Sequence, residues 1–122
     1  MKAVLALALA CALGGCATIS RLEGTTVSPQ VALTAANSFD ALETLATGYL
    51  QLPPCGGTLV VCRTPVARAK IIPAVNSGRT ARDVIEKALR AGNGAPIPVA
   101  SYNTLTAAIE TLQSIYAQYN IH

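Results

Sequence analysis

The chain has 122 residues, and its nine basic and six acidic side chains give a formal charge of +3. This length is enough for one small domain with a single hydrophobic core. So weak a positive charge does not indicate a nucleic-acid-binding protein, which usually carries a strongly basic patch.

Residues 1–15 have the layout of a secretory signal. Lys2 precedes the apolar stretch Ala3–Leu13, and small residues follow at Gly14 and Gly15. The eleven residues of this stretch are too few to span a hydrocarbon core of about 30 Å, which takes roughly 20 residues in a helix. We therefore predict that residues 1–15 are removed as a signal peptide and do not form a transmembrane anchor.

The residues at the predicted cleavage point, Leu13, Gly14, Gly15 and Cys16, resemble the lipobox of bacterial lipoproteins. The resemblance covers residues 1–17 only. It implies that a diacylglycerol is joined to the Cys16 thiol, that the chain is cut before this residue, and that the new amino terminus is acylated. Several acyl chains on one residue, palmitate among them, make membrane attachment effectively permanent. An ordinary signal peptide that leaves Cys16 unmodified is the alternative.

Ala17, and not aspartate, follows this cysteine, which resembles the pattern that enteric-type bacteria sort to the outer membrane. We expect the protein to be anchored there and to face the periplasm, where it does not meet a genome. Residues 16–28 carry no sustained helical or strand period, so they are predicted to form a lipidated, flexible tether. The domain is predicted to occupy residues 29–122.

Three amphipathic helices are predicted in this domain. Ser28 and Pro29 are typical of an N-cap and a first helical residue, and the proline after Leu52 ends the first helix there. Thr64 and Pro65 begin the second helix in the same way. The apolar residues of the first helix recur every three or four positions, at Val31, Ala35, Phe39, Leu42, Ala46 and Tyr49.

The second helix contains two residues that disfavour a helix. Pro73 removes one backbone hydrogen bond, and Gly78 costs about 1 kcal/mol. Either the helix kinks at Pro73 and continues to about Ala91, or it breaks and restarts at Thr80 with Asp83 completing a cap. We favour the kinked helix. Its buried stripe is predicted to hold Ile71, Val75, Ile85, Ala88 and Leu89.

The stretch "AGNGAPIPVAS" predicts a loop, after which Ser101 caps the third helix. This helix has the most regular apolar pattern, at Tyr102, Leu105, Ile109, Leu112, Tyr116 and Tyr119, with Ala108 and Ile115 alongside. No alternating segment is long enough to predict a sheet, and the strand-like run "TLVVC" suits a constrained loop better. The predicted fold is all-α, a small antiparallel three-helix bundle with a disulfide-closed loop between helices 1 and 2.

Of the four cysteines, Cys11 leaves with the signal and Cys16 carries lipid, so Cys55 and Cys62 remain to pair in an oxidising periplasm. Closing this small ring stabilises the fold by about 2.5 kcal/mol in the chain-entropy model. Six residues separate the two cysteines, whereas a thioredoxin-like redox motif has two. A zinc site takes about four ligands, and the only other candidate is His122, so no metal site is expected.

Basic side chains are concentrated in residues 63–90, where seven of them face two acidic ones. This segment could meet lipid phosphates, lipopolysaccharide or an acidic protein near the envelope. The alternative is a solvated face that pairs partly with Asp40, Glu43 and Glu110. The candidate face for an anionic partner consists of Arg68, Arg79, Arg82 and Arg90.

No set of residues predicts catalysis. The sole histidine, His122, lies at the end of the chain where fraying is expected, and the domain holds no other histidine for a serine triad. Asp83 and Glu86 are explained by ion pairing with basic neighbours at helical spacing. The four tyrosines are predicted to line the core with their hydroxyls at its edge, and a binding groove is the alternative.

These patterns predict a small membrane-anchored envelope lipoprotein that serves as a non-catalytic binding or structural module, with covalent lipid on Cys16 and no other cofactor. Its expected partners are the membrane, an envelope protein or an anionic envelope component. A prophage-type accessory lipoprotein, acting in lysis or superinfection exclusion, is one alternative. An inhibitor of a cell-wall enzyme that presents the Cys55–Cys62 loop is another. A wall enzyme would need clustered acidic or histidine side chains.

Overall fold

Three helices and two short strands make up residues 26–122, the part of the chain that the structure, a computed structural model, describes. The chain is mostly helical, as predicted. The predicted signal peptide, the predicted lipid site at Cys16 and the first part of the predicted tether lie outside the described residues. In chain order the elements are β1 (Thr26–Val27), α1 (Pro29–Gln51), α2 (Pro65–Ala91), β2 (Ile97–Pro98) and α3 (Val99–Tyr119).

The first two helices begin where the cap-then-proline pattern predicts. The Ser28 hydroxyl accepts a hydrogen bond from the Val31 N–H at 3.4 Å, and Pro29 follows it. The Thr64 hydroxyl accepts from the Ala67 N–H at 3.2 Å in the same way. Each cap satisfies one of the donors that a helix N-terminus leaves open. Both start sites are therefore confirmed.

The predicted start of the third helix is wrong. α3 begins at Val99 with Pro98 as its N-cap and no side-chain cap bond, and Ser101 lies inside the helix. The chain enters α3 directly from β2, and the proline ring holds φ of Pro98 at −63°. The strand pair therefore decides where this helix begins.

A small antiparallel sheet is present where none was predicted. Thr26 pairs with Pro98 and Val27 pairs with Ile97. Two residues in each strand are too few to show the alternation by which a strand is found in a sequence. Because Val27 and Ile97 are both buried, the end of the predicted tether is part of the folded domain.

The second helix runs from Pro65 to Ala91 without a break, with Pro73 inside it. The predicted continuity of this helix is confirmed and a restart at Thr80 is wrong, while the kink at Pro73 stays a prediction. Gly78, whose cost the sequence could not explain, is buried against α1, and a Cβ at this position would overlap the ring of Phe39. The glycine thus allows the Phe39 ring of α1 to contact the backbone of α2.

The core lies between the three helices. The predicted stripe of α3 is confirmed from Tyr102 to Tyr116, with Tyr119 only partly buried. In α1 the buried face is shifted toward small residues, because Ala32 and Ala36 are buried while Val31 is 42% exposed. In α2 the predicted residues Ile71, Val75 and Ile85 are buried, while Ala88 and Leu89 are partly buried.

Contacts between helices show their relative directions. Along α1, Asp40 contacts Arg82 and Glu43 contacts Arg79, while Tyr49 contacts Thr64 at the start of α2. Residue numbers rise along α1 as they fall along α2, so these two helices are antiparallel. A helix of 23 residues is about 35 Å long. The α1–α2 connection therefore lies about one helix length from the strand pair.

A buried tyrosine joins α3 to α1. The Tyr116 hydroxyl donates to the Leu42 carbonyl oxygen at 2.6 Å, and burial raises the pKa of Tyr116 to about 12. The prediction that tyrosine hydroxyls lie at the edge of the core is confirmed here. Within residues 26–122, none of the three helices has the length and apolar character that crossing a membrane requires.

Candidate functional site

Three of the four arginines on the predicted anionic-partner face are engaged by acidic side chains of the same chain. Arg82 binds Asp40 through two hydrogen bonds, Nε to Oδ1 at 2.7 Å and Nη2 to Oδ2 at 2.9 Å. Arg79 Nε lies 2.5 Å from Glu43 Oε1. These pairs match the alternative, a solvated face that pairs with α1.

Glu86 holds the end of this network. It accepts from Arg82 and from Arg90, each four residues away on α2. The pKa of Glu86 is lowered, chiefly by its hydrogen bond with Arg90 and by the charge of Arg82. The pKa of Arg82 is raised, first by its hydrogen bond with Asp40. The predicted ion pairing of Glu86 at helical spacing is thus confirmed.

Arg68 differs from the other three arginines. It is exposed near the start of α2, and within residues 26–122 it forms no ion pair. The structure therefore does not bring the predicted face together as one free cationic surface. Arg68 lies close to the α1–α2 connection, which forms a second exposed surface.

The α1–α2 connection is closed by the predicted disulfide. Cys55 and Cys62 are bonded, with their Cα atoms 4.8 Å apart. At the base of this loop the Cys55 N–H donates to the Arg63 carbonyl at 3.0 Å, and the Arg63 N–H donates to the Pro53 carbonyl at 2.9 Å. The Arg63 guanidinium also donates to the Leu50 carbonyl at 2.9 Å. The loop is therefore fixed to the end of α1.

Tyr49 joins this base to α2. Its hydroxyl accepts from the Thr64 N–H at 2.7 Å, and its ring is buried. The Thr64 side chain in turn caps α2. One tyrosine thus sets the position of the second helix relative to the first, directly beside the disulfide.

The outer part of the loop carries exposed aliphatic side chains, which we call the apolar tip: Leu59, Val60 and Val61. They are 52%, 96% and 64% exposed. Their run is part of a loop and not of a strand, as predicted for "TLVVC". Contiguous exposed aliphatic residues are unusual in a small soluble domain and often mark a binding site.

An open groove of about 580 Å³ lies beside the apolar tip. Its lining includes Val60 and Val61 from the loop, Leu45 and Leu52 from the α1 side, and Ile121 and His122 after α3. Leu45 is also 38% exposed. The apolar surface therefore extends from the tip toward the end of α1.

The charged side chains that follow the tip in the chain are basic, and we call them the basic collar: Arg63, Arg68 and Lys70. The sequence has no aspartate or glutamate between Glu43 and Asp83. Lys70 Nζ lies 5.4 Å from the centre of the Tyr119 ring and 3.3 Å from Gln118 Oε1, so its ammonium stays near this end of α3. An apolar tip with a basic collar can bind an apolar surface that bears negative charge.

No protein-family model, curated protein or solved structure matches this chain. The chemistry of the loop is therefore the basis for proposing a function.

The sequence did not lead us to predict the apolar tip as a site, although its residues are visible in the run "TLVVC". Three aliphatic residues, Leu59, Val60 and Val61, lie inside a short segment closed by two cysteines seven positions apart, and such a segment can bury few of its side chains. The contact of Tyr49 with Thr64 has no local signal, because it depends on the packing of two helices. Within residues 26–122, no group of three or more histidine, cysteine, aspartate or glutamate side chains is arranged to hold a metal ion.

Proposed function

We propose that this protein is a small bacterial lipoprotein, anchored in the envelope through lipid on Cys16, whose domain is a non-catalytic binding module. Its three helices form an antiparallel bundle that displays the Cys55–Cys62 loop. The exposed apolar tip is the observation that carries this proposal. We further propose that the anchor lies in the outer membrane and that the domain faces the periplasm.

The positions of Val27 and of the disulfide-closed loop support this arrangement. The chain enters the domain at Val27, beside Ile97, and the disulfide-closed loop lies about 35 Å away along α1. A lipid at Cys16 would hold the first of these ends nearest the membrane. The anchor itself then leaves the loop free to contact a partner, because the loop is at the opposite end of the domain.

The disulfide supports an oxidising compartment. Such bonds persist in exported proteins and are rare in the cytosol. A secretory signal followed by a lipobox-like sequence, Leu13–Cys16, leads to the same compartment. Two independent features of the chain, one at its start and one in its domain, therefore agree on export.

A binding role is supported by the contrast between the carboxylates, which are paired, and the apolar tip, which is exposed. The carboxylates of Asp40, Glu43 and Glu86 are each paired with arginine, which gives them structural roles. The side chains of the apolar tip, by contrast, are each more than half exposed. Its burial against a partner would remove aliphatic surface from water, at about 25 cal/mol for each Å².

Mass spectrometry of the protein from cell membranes tests the anchor. We expect a mature chain that begins at Cys16 and carries a diacylglyceryl group and an amide-linked acyl chain. Cys16→Ser should abolish both modification and cleavage at this position. Cys11→Ser, the matched control within the leader, should leave the mature mass unchanged. An uncut leader or an unacylated Cys16 would contradict the anchor.

A photoreactive residue tests the binding role. Placed at position 60 in intact cells it should form an adduct with an envelope component. At Leu33, which is 51% exposed on α1, the same residue should form little or none. Equal adducts at both positions would show that the loop has no special binding role.

A further inference from the structure

We propose that the apolar tip docks on an anionic phospholipid surface, so that the protein contacts membrane at two places. This inference deepens the proposed function, because it names the occupant of the loop. It would hold the domain down on a bilayer, in addition to the lipid on Cys16. The occupant is a lipid surface, and a protein partner is the alternative that the experiment below distinguishes.

The shape of the apolar tip favours a lipid surface. Val60 is 96% exposed and its two flanking aliphatic neighbours are more than half exposed, so the tip protrudes. A protruding protein surface needs a matching cavity in a protein partner. A bilayer accepts it at any orientation, since the headgroup boundary yields to side chains that enter 5–10 Å. The disulfide closes the loop that carries these three side chains.

The charges around the tip favour an anionic surface. Arg68 has no ion pair within residues 26–122, and Lys70 is held at the same end of the domain by Gln118 and the Tyr119 ring. Each cationic side chain near an anionic bilayer strengthens binding about fivefold. Farther along α2, Arg79 and Arg82 are already neutralised by Glu43 and Asp40. Arg68 is therefore a positive charge without an ion pair in the half of α2 that begins at the loop.

The length of the tether allows the tip to reach the bilayer that holds the anchor. Ten residue steps from Cys16 to Thr26 span at most about 35 Å, which is close to the length of α1. A tethered tip meets the membrane at high effective concentration, so a weak contact suffices. The domain can then lie along the membrane with both ends attached.

Tryptophan fluorescence tests this proposal, because the chain contains no tryptophan. Val60→Trp and Leu33→Trp variants of the whole protein, purified from membranes, are reconstituted in phosphatidylethanolamine–phosphatidylglycerol vesicles with brominated acyl chains. We expect quenching of Val60→Trp to be about threefold stronger than that of Leu33→Trp, because only the tip enters the interface. Vesicles of phosphatidylcholine alone should remove most of this difference.

A pair of charge variants tests the basic collar. In the Val60→Trp background, Arg68→Gln should lower the ratio of docked to undocked tip about fivefold. Lys87→Gln removes the same charge from an exposed position near the other end of α2 and should leave the ratio unchanged. Equal effects of the two substitutions would overturn the role of the collar.

Two further results would overturn the proposal. One is equal quenching at positions 60 and 33 in anionic vesicles. The other is an unquenched tip that is instead crosslinked to a protein in cells, which would assign the loop to a protein partner. The mass of the same sample reports acylation of Cys16 separately. If the protein is unacylated but its tryptophan at position 60 is still quenched, the lipid anchor at Cys16 is refuted and docking of the apolar tip on the bilayer is supported.

Discussion

The α1–α2 and α2–α3 connections are built from similar residues, since both combine prolines, glycines and aliphatic side chains. In the first, Val60 is 96% exposed, whereas in the second Ile97 is 1% exposed. The first is closed by a covalent bond between Cys55 and Cys62. The second is closed by pairing of Ile97 with Val27 and by burial of both side chains.

This difference shows what each kind of closure requires. A disulfide constrains a loop without burying its side chains, because the cross-link acts mainly on the unfolded chain. A loop without a cross-link has to gain free energy from burial to offset its lost entropy. The covalently closed loop is therefore free to present apolar residues for binding, and the other is not.

The largest loss of stability is expected from substitution of Ile97. Ile97→Ala should lower the free energy of unfolding by about 3 kcal/mol, because it removes a fully buried side chain and leaves a cavity. Val60→Ala, the matched change in the other connection, should alter it by less than about 0.5 kcal/mol. Chemical denaturation measures both. Similar losses for the two variants would contradict the contrast between the connections.

The disulfide is expected to contribute slightly less. Cys55→Ser with Cys62→Ser should lower the free energy of unfolding by about 2.5 kcal/mol, because the unfolded chain regains the freedom of the loop. Reduction of the unchanged protein should have the same effect, which serves as the control. Since the loop lies far from Ile97, this loss should add to that of Ile97→Ala. A strongly non-additive result would show that the two connections are coupled.

The hydrogen bond at the base of the disulfide loop should have a smaller effect. Tyr49→Phe removes the acceptor of the Thr64 N–H and should cost about 1.5 kcal/mol, because this donor is left without its partner. Tyr119→Phe is the control, since the ring of Tyr119 contacts Lys70 and no hydroxyl bond holds it to the loop. Thermal unfolding of both variants checks this, and equal melting temperatures would refute the role of Tyr49.

The smallest effects are expected from glycines of the two connections. Gly94 has φ of +73°, so Gly94→Ala should lower the free energy of unfolding by about 1 kcal/mol through backbone strain. Gly56 does not have a positive φ, and a Cβ at this position would have open space around it. Gly56→Ala should therefore change stability by less than about 0.5 kcal/mol, or increase it slightly. A larger loss for Gly56→Ala than for Gly94→Ala would be the reverse of what the geometry requires.

Part of the candidate site was predictable from its residues. The pairing of Cys55 and Cys62 followed from their position in the chain, and "TLVVC" was assigned to a constrained loop. The basic face predicted from the sequence is only partly free to bind an anionic partner. Arg79 and Arg82 are bound by α1, and only Arg68 of that set joins the surface beside the tip. Sequence shows where charge is concentrated, but the neighbouring helix decides which charges remain free.

The sequence by itself determined the features that depend on a few neighbouring residues. Ser28 with Pro29, and Thr64 with Pro65, start helices because a hydroxyl and a fixed φ act within one turn. The stripe of α3 is similarly local, since its period is a property of one helix.

Only the tertiary structure decided the features that depend on residues far apart in the chain. Asp40 and Arg82 are 42 positions apart, and the paired residues Thr26 and Pro98 of β1 and β2 are 72 positions apart. Gly78 has a reason only when Phe39 packs against it. These contacts depend on how whole helices pack together. Local propensity depends only on neighbouring residues, so it cannot predict that packing.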